Sequence, residues 1–164
     1  GYNWRFHPTA SHVEQMAGDI RDVTLYVADE MNMWPGTYGA PLYEFSHELD
    51  LITLWTRNPV VEHVTGNHHE IRLHGFHEQG SWRVIIRPHH QPKGRWAKIR
   101  LKDGCRMNFS WNRKPRIVER TYHNQLVDVI KTWESSGDPA DLRCSLVDGV
   151  RTARLIDQAA LLQR

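Results

Sequence analysis

Apolar and polar residues along this chain repeat with two different periods, and the switches between them lay out its elements. Tyr2, Trp4 and Phe6 alternate with Asn3 and Arg5, which predicts a short opening strand. Pro8 and Thr9 then open a helix, with Thr9 as its cap and Val13 and Met16 on its apolar side, running to about Gly18. The β-branched and aromatic run Val23-Thr24-Leu25-Tyr26-Val27 predicts a strand. Residues 30–41 carry Pro35, Gly36, Gly39 and Pro41 and predict a loop. Met31, Met33, Trp34 and Tyr38 make that loop unusually apolar, as expected of one that packs on the domain or lines a pocket.

From Leu42 to about Arg57 the period becomes helical. Leu42, Phe45, Leu49 and Ile52 fall on one stripe, and Leu51 and Trp55 give a second apolar side, so this helix is expected to be buried on two sides. Asn58-Pro59 ends it. Strand patterns follow at 60–65, 69–75, 81–88, 95–101 and 105–111, with Asp103-Gly104 as a hairpin turn between the last two. Short turns between consecutive strands predict antiparallel pairing. Leu126, Val127, Ile130 and Trp133 mark a late helix that stops at Ser135–Pro139, and Leu146, Val150, Ala153, Ile156 and Ala160 mark a last one. The whole predicts one α+β domain over residues 1–164: an open, mainly antiparallel sheet with helices packed on one face. The other face then needs water, another domain or a partner subunit, and a homodimer or higher oligomer through it is the expectation.

Composition removes several classes of function. A net charge of +2 with no basic run does not predict a nucleic-acid partner. The apolar runs are only a few residues long, so no membrane partner is expected, and the opening residues do not form a signal peptide. Two widely separated cysteines fit a reduced, cytoplasmic protein. Eleven histidines invite a metal, but His68-His69 and His89-His90 point to opposite faces of their strands, and no spacing matches a structural zinc pattern, so no metal site is expected. Trp82, Trp96 and Trp111 fall on successive strand patterns and are expected to stack across the sheet. A strand beginning at once after Gly1 reads as a chain cut at a domain boundary.

Three stretches carry a family resemblance. Gly1-Tyr2-Asn3-Trp4-Arg5-Phe6-His7-Pro8, Phe45-Ser46-His47-Glu48-Leu49-Asp50, and Tyr122–Val127 followed by Asp148-Gly149-Val150 together resemble the C-terminal domain of the Gfo/Idh/MocA oxidoreductases over nearly the whole chain. The resemblance implies an intact protein with an N-terminal Rossmann domain that binds NAD or NADP and supplies a catalytic lysine. Neither a G-x-G-x-x-G turn nor a Glu-Lys-Pro sequence occurs here, so the cofactor is expected on a domain outside this chain. It further implies that this domain makes the substrate contacts, carries an acid–histidine pair and uses its sheet face for oligomerisation.

The candidate catalytic pair is Glu44 and His47, three apart and so on one side of the predicted helix. Oxidising an alcohol carbon by hydride transfer requires a base for the hydroxyl proton, and an imidazole titrates near neutrality. Glu44 stands where the family pattern has Asp, and Tyr38-Gly39-Ala40 where it has a Gly-rich lead. Candidate substrate-binding residues are Asn3, Arg5 and His7, which share a face of the predicted opening strand, and Tyr38 on the apolar loop. Arg5 would grip a carboxylate or phosphate by its planar fork. The expected function is the substrate-binding and oligomerisation domain of an NAD(P)-dependent dehydrogenase acting on a sugar, cyclitol or related alcohol, the chain alone being inactive. The alternative is a non-catalytic dimerisation or ligand-binding domain that keeps only the fold.

Overall fold

Val23, Leu25 and Val27 point the same way from strand β1 (Ile20–Asp29), and their burial makes that strand the spine of the molecule. The computed structural model describes residues 3–29, 46–67, 69–88, 94–111 and 115–162. Among them β2 (Val60–Gly66), β3 (Ile71–His77), β4 (Gly80–Pro88), β5 (Gly94–Leu101) and β6 (Arg106–Trp111) complete a six-stranded sheet in the order β2-β3-β4-β1-β5-β6. β2-β3-β4 and β5-β6 are hairpin-connected and antiparallel. β1 lies between β4 and β5, antiparallel to β5 and parallel to β4. The parallel pair arises because the chain reaches β4 only after leaving β1 through a helix and two more strands. At the β5–β6 turn Gly104 takes φ 89°, which suits glycine, and the Asp103 carboxylate accepts the Cys105 N–H.

The helices are α1 (Pro8–Glu14), α2 (Ser46–Trp55), α3 (Pro115–Ser135) and α4 (Leu146–Leu162). α2 is buried on two sides, as its double stripe predicted: Leu49, Leu51, Ile52 and Trp55 are all lost to solvent. Leu42 and Phe45 lie outside the described residues. α4 packs on α2 and β2 with Leu155, Ile156 and Ala159. Trp55 Nε1 donates to the Ala10 carbonyl and Trp82 Nε1 to the Phe76 carbonyl, so both buried indoles have their one polar atom satisfied. α3 lies against the N-terminal turn and leaves Tyr122, Leu126, Val129, Ile130 and Trp133 exposed, the last at 79%.

Three expectations are corrected. Residues 3–6 form a 3-10 turn, not a strand, and His7, not Thr9, caps α1: its Nδ1 accepts the Thr9 N–H at 3.1 Å and Pro8 opens the helix. A strand would have turned alternate residues outward, whereas Trp4, Arg5, Phe6 and His7 are all buried. The tryptophans do not stack as a row. β1 separates β4 from β5, Trp82 faces the helices, and Trp96 lies on the open face, where it stacks on Tyr26 at 5.4 Å.

Across that open face the register sets Arg72, Ile85, Tyr26, Trp96 and Ser110 in one row, and His74, Arg83, Thr24, Lys98 and Asn108 in the next. An aromatic and aliphatic band therefore runs beside a cationic one.

Gly75 faces Trp82 across β3 and β4, and a Cβ there would meet the Val60 carbonyl oxygen at 2.0 Å and the Trp82 ring at 2.5 Å. Gly75→Ala should cost about 3 kcal/mol in urea denaturation through overpacking. Gly18→Ala, with open space around its Cβ, should stay within about 0.5 kcal/mol of the parent. Equal, small losses at both would refute the packing assignment.

Candidate active site

An acid set among Leu49, Leu51 and Ile52 requires a partner, and α2 carries two such acids, Glu48 and Asp50, both fully buried. Each is met by an arginine from a different element. Arg5, on the N-terminal turn, forks onto both oxygens of Asp50, with Nε and one terminal nitrogen each at 2.7 Å. Its other contacts are the Thr53 hydroxyl, the Arg143 carbonyl and the Asp148 carboxylate at 3.3 Å. Thr152 of α4 donates a further hydrogen bond to Asp50 at 3.1 Å. Arg95, the first inward residue of β5, reaches Glu48 at 2.8 Å, and its guanidinium lies 5.5 Å over the Trp4 ring.

Asp148 belongs to the same cluster. It forms a capping box with Ser145 at the start of α4: the Ser145 backbone N–H and hydroxyl both donate to its carboxylate, and the Asp148 N–H donates to Ser145 Oγ. Burial pushes the Asp148 carboxyl up, but the Ser145 hydrogen bond and the charge of Arg5 outweigh it and hold the group below its ordinary range. For Arg5, burial opposes the charge, and the hydrogen bonds and charges of Asp50 and Asp148 more than restore it.

The half-buried His47 sits one turn before Asp50, and spacing of three puts both on one side of α2. Its Nδ1 is shielded from solvent. The predicted site residues thus meet in part. The N-terminal turn, whose first residue is Asn3, docks through Arg5 on the helix that carries His47. His7 is buried, its ring 5.6 Å from that of Trp4, and it serves α1 as a cap. Glu44 and Tyr38 lie outside the described residues. Arg5, expected to hold a substrate anion, already grips Asp50.

The sequence reading did not single out Asp50, Glu48, Arg95 or the capping box as site groups. Signals for them exist. Asp50 and Glu48 interrupt an apolar run, extending the β5 alternation one residue back puts Arg95 on the apolar face, and Ser145-x-x-Asp148 is a capping pattern.

No family model matches the sequence, and no curated protein matches it. Solved structures do share its fold. A dehydrogenase from Chromobacterium violaceum matches 98% of this chain and 59% of its own, with a TM-score of 0.71 at 11% identity. A Gfo/Idh/MocA family oxidoreductase from Vibrio cholerae matches 99% of this chain and 60% of its own, with a TM-score of 0.60 at 10% identity. The WlbA dehydrogenase from Thermus thermophilus, solved with NAD and UDP-GlcNAcA, matches 98% of this chain and 53% of its own, with a TM-score of 0.60 at 17% identity. The chain therefore has a fold found within dehydrogenases of the Gfo/Idh/MocA type, and spans about 60% of the chains it matches. Among the described residues no helix is long and apolar enough to cross a membrane, and no cluster of His, Cys, Asp and Glu is arranged to hold a metal ion.

Two expected outcomes follow. Asp50→Ala strands the buried Arg5 charge and should cost about 3–5 kcal/mol, whereas replacing both partners (Arg5→Met with Asp50→Leu) should recover most of that loss. Additive losses in urea denaturation would refute a coupled pair. The second concerns pH. Burial lowers the pKa of His7 below its ordinary 6.5, and burial lowers that of His77 against the pull of the Arg21 carbonyl. Their neutral forms favour the fold, so this stability is present above pH 6.5 and is lost as pH falls from there through the lowered values. His7→Asn keeps a capping side chain without a titrating one. It should flatten the loss measured between about pH 7.5 and pH 5.5, and an unchanged slope would count against His7.

Proposed function

We propose that this chain is the C-terminal, substrate-binding and oligomerisation domain of an NAD(P)-dependent oxidoreductase acting on a sugar, cyclitol or related alcohol. The observation that carries the reading is that nearly the whole chain matches about 60% of dehydrogenase chains, two of which are described with sugar nucleotides, as UDP-N-acetylglucosamine 3-dehydrogenase and in complex with UDP-GlcNAcA. A remainder of that size is room for an N-terminal Rossmann domain, which this reading places before residue 1. This reading assigns the cofactor to that other domain, in keeping with the lack of a G-x-G-x-x-G sequence here.

Within this division His47 is the proton acceptor for the substrate hydroxyl, with Glu44, three residues earlier in the sequence, as its orienting carboxylate. Asn3, His7 and Tyr38 remain candidates for substrate contact. The bidentate grip on Asp50 gives Arg5 the part of a positioning residue, fixing the turn of α2 that follows His47. The gene product with its preceding domain, assayed with NAD and NADP against inositol, free sugars and UDP-sugars, should turn over at least one of them. His47→Asn should lower kcat by about a hundredfold or more and remove the acid-side limb of the pH profile, where the imidazole becomes protonated. Equal turnover by parent and variant would remove His47 from the chemistry. A gene product no longer than this chain would favour the alternative, a non-catalytic assembly domain, to which Glu44 in place of the family's Asp also points.

The open sheet face supports self-association. Its row of Ile85, Tyr26 and Trp96 is apolar, while Arg72, Arg83, Arg87, Lys98 and Arg100 outnumber Asp22, Glu62 and Glu70 around it. Two copies joined by this face bring like charges together, and salt screens that repulsion. Light scattering should therefore show a dimer that tightens from low to high salt and dissociates on Trp96→Glu. A monodisperse monomer at micromolar concentration under both conditions would sink this arrangement.

A further inference from the structure

At the end of α2 away from His47, a cleft of about 640 Å³ opens between the last turn of α2, the start of β2 and the outer side of α4. Its lining is chemically one-sided. Arg57, Arg151 and Arg154 contribute three guanidinium groups and Gln158 an amide, and no aspartate or glutamate lines it; Thr56 and Asn58 spend their side-chain donors on the Ile52 carbonyl and on the Glu78 carboxylate at the rim. Arg151 and Arg154 are three apart on α4 and Gln158 four further on, so they share one side of that helix. Arg57 approaches from across the cleft, where α2 ends and Asn58 turns the backbone at φ 49°. Gln158 Oε1 already accepts the Val61 N–H, which leaves its amide nitrogen as the donor available to the cleft.

Several arginines elsewhere on this molecule are matched to acids: Arg5 to Asp50, Arg95 to Glu48, Arg72 and Arg87 to Glu70, Arg143 to Glu14. Here Arg57 and Arg154 have no carboxylate within ion-pair distance among the described residues, and Arg151 has only Asp148 at 3.7 Å. Three like charges around one concavity repel each other unless an anion lies between them, and a concave wall concentrates their field inside it. Guanidinium forks match phosphate oxygens two at a time.

We propose that this cleft binds a small molecule bearing a diphosphate or triphosphate, with Arg57 on one side and Arg151 and Arg154 on the other. The site is about 15 Å from His47 by the rise of α2, and its existence does not depend on the function proposed above. The shared chemistry is the condensed phosphate, whether inorganic or the phosphate chain of a nucleotide.

Calorimetric titration of the 164-residue chain with pyrophosphate, ADP and orthophosphate in low salt tests this. Pyrophosphate and ADP should bind saturably with a Kd below about 100 µM, and orthophosphate, which reaches fewer guanidiniums, at least about tenfold more weakly. ADP tighter than pyrophosphate identifies a nucleotide site, and equal affinities identify a site that reads the phosphates alone. The double variant Arg57→Gln with Arg154→Gln should weaken binding by about tenfold or more. All three arginines are exposed, so the melting temperature should not change. A control pair of equal charge change on α3, Arg120→Gln with Lys131→Gln, should leave affinity within about twofold. Absence of saturable binding below about 1 mM, or equal weakening by both pairs, overturns the proposal.

Discussion

The guanidinium of Arg5 is 2% exposed and forks onto both oxygens of a carboxylate that is 0% exposed. Neither group tolerates that environment alone, since the cost of an unpaired charge in the interior runs to several kcal/mol. The pair therefore forces its two elements together, with the N-terminal turn on one side and α2 on the other. Thr152 and Asp148 extend the same constraint to α4, and the Arg143 carbonyl extends it to the loop before that helix. Such a pair adds little net stability over a well-packed apolar substitute, but it is demanding in geometry. It admits one arrangement of three segments that are far apart in sequence, and that arrangement sets where the turn bearing His47 lies.

The second pair works on the other side of α2. Glu48 precedes Asp50 by two positions on α2, so the two carboxylates leave the helix in different directions. Arg95 ties Glu48 to β5, while Arg5 ties Asp50 to the N-terminal turn. Trp4 joins the two systems, because it sits on the same turn as Arg5 and beneath the guanidinium of Arg95. α2 is thus fixed both in translation and in rotation about its axis, and the apolar contacts of Leu49, Ile52 and Trp55 fill the space those anchors define.

Elements set by local periodicity were legible in the sequence: the strands, the doubly buried helix and the hairpin at Asp103-Gly104. Strand alternation reports that a segment has an apolar face, but it does not report which strand lies alongside. The insertion of β1 between β4 and β5 is a non-local fact, and with it went the expected stacking of Trp82 on Trp96. The N-terminal turn was misread for a related reason. Five residues alternate by chance as easily as by structure, and what decides their conformation is the distant carboxylate that Arg5 must reach. The charged members of the cluster were visible as exceptions to the apolar pattern, at Asp50 within α2 and at Arg95 on the inward side of β5. An exception of that kind signals a buried partner without naming it.

These commitments bear on how chemistry would be divided in the proposed enzyme. Arg5 and Arg95 both spend hydrogen bonds on carboxylates of α2 itself, Arg5 through its fork and Arg95 through Nε. A substrate anion held near that helix would have to compete with Asp50 or Glu48, and taking either arginine away would leave a buried acid unpaired. The cationic groups without such commitments, Arg57 and Arg154, lie at the opposite end of the same helix. In the proposed enzyme α2 would carry the proposed proton acceptor, His47, at one end and the proposed phosphate site at the other, with the two buried ion pairs between them holding the helix in place.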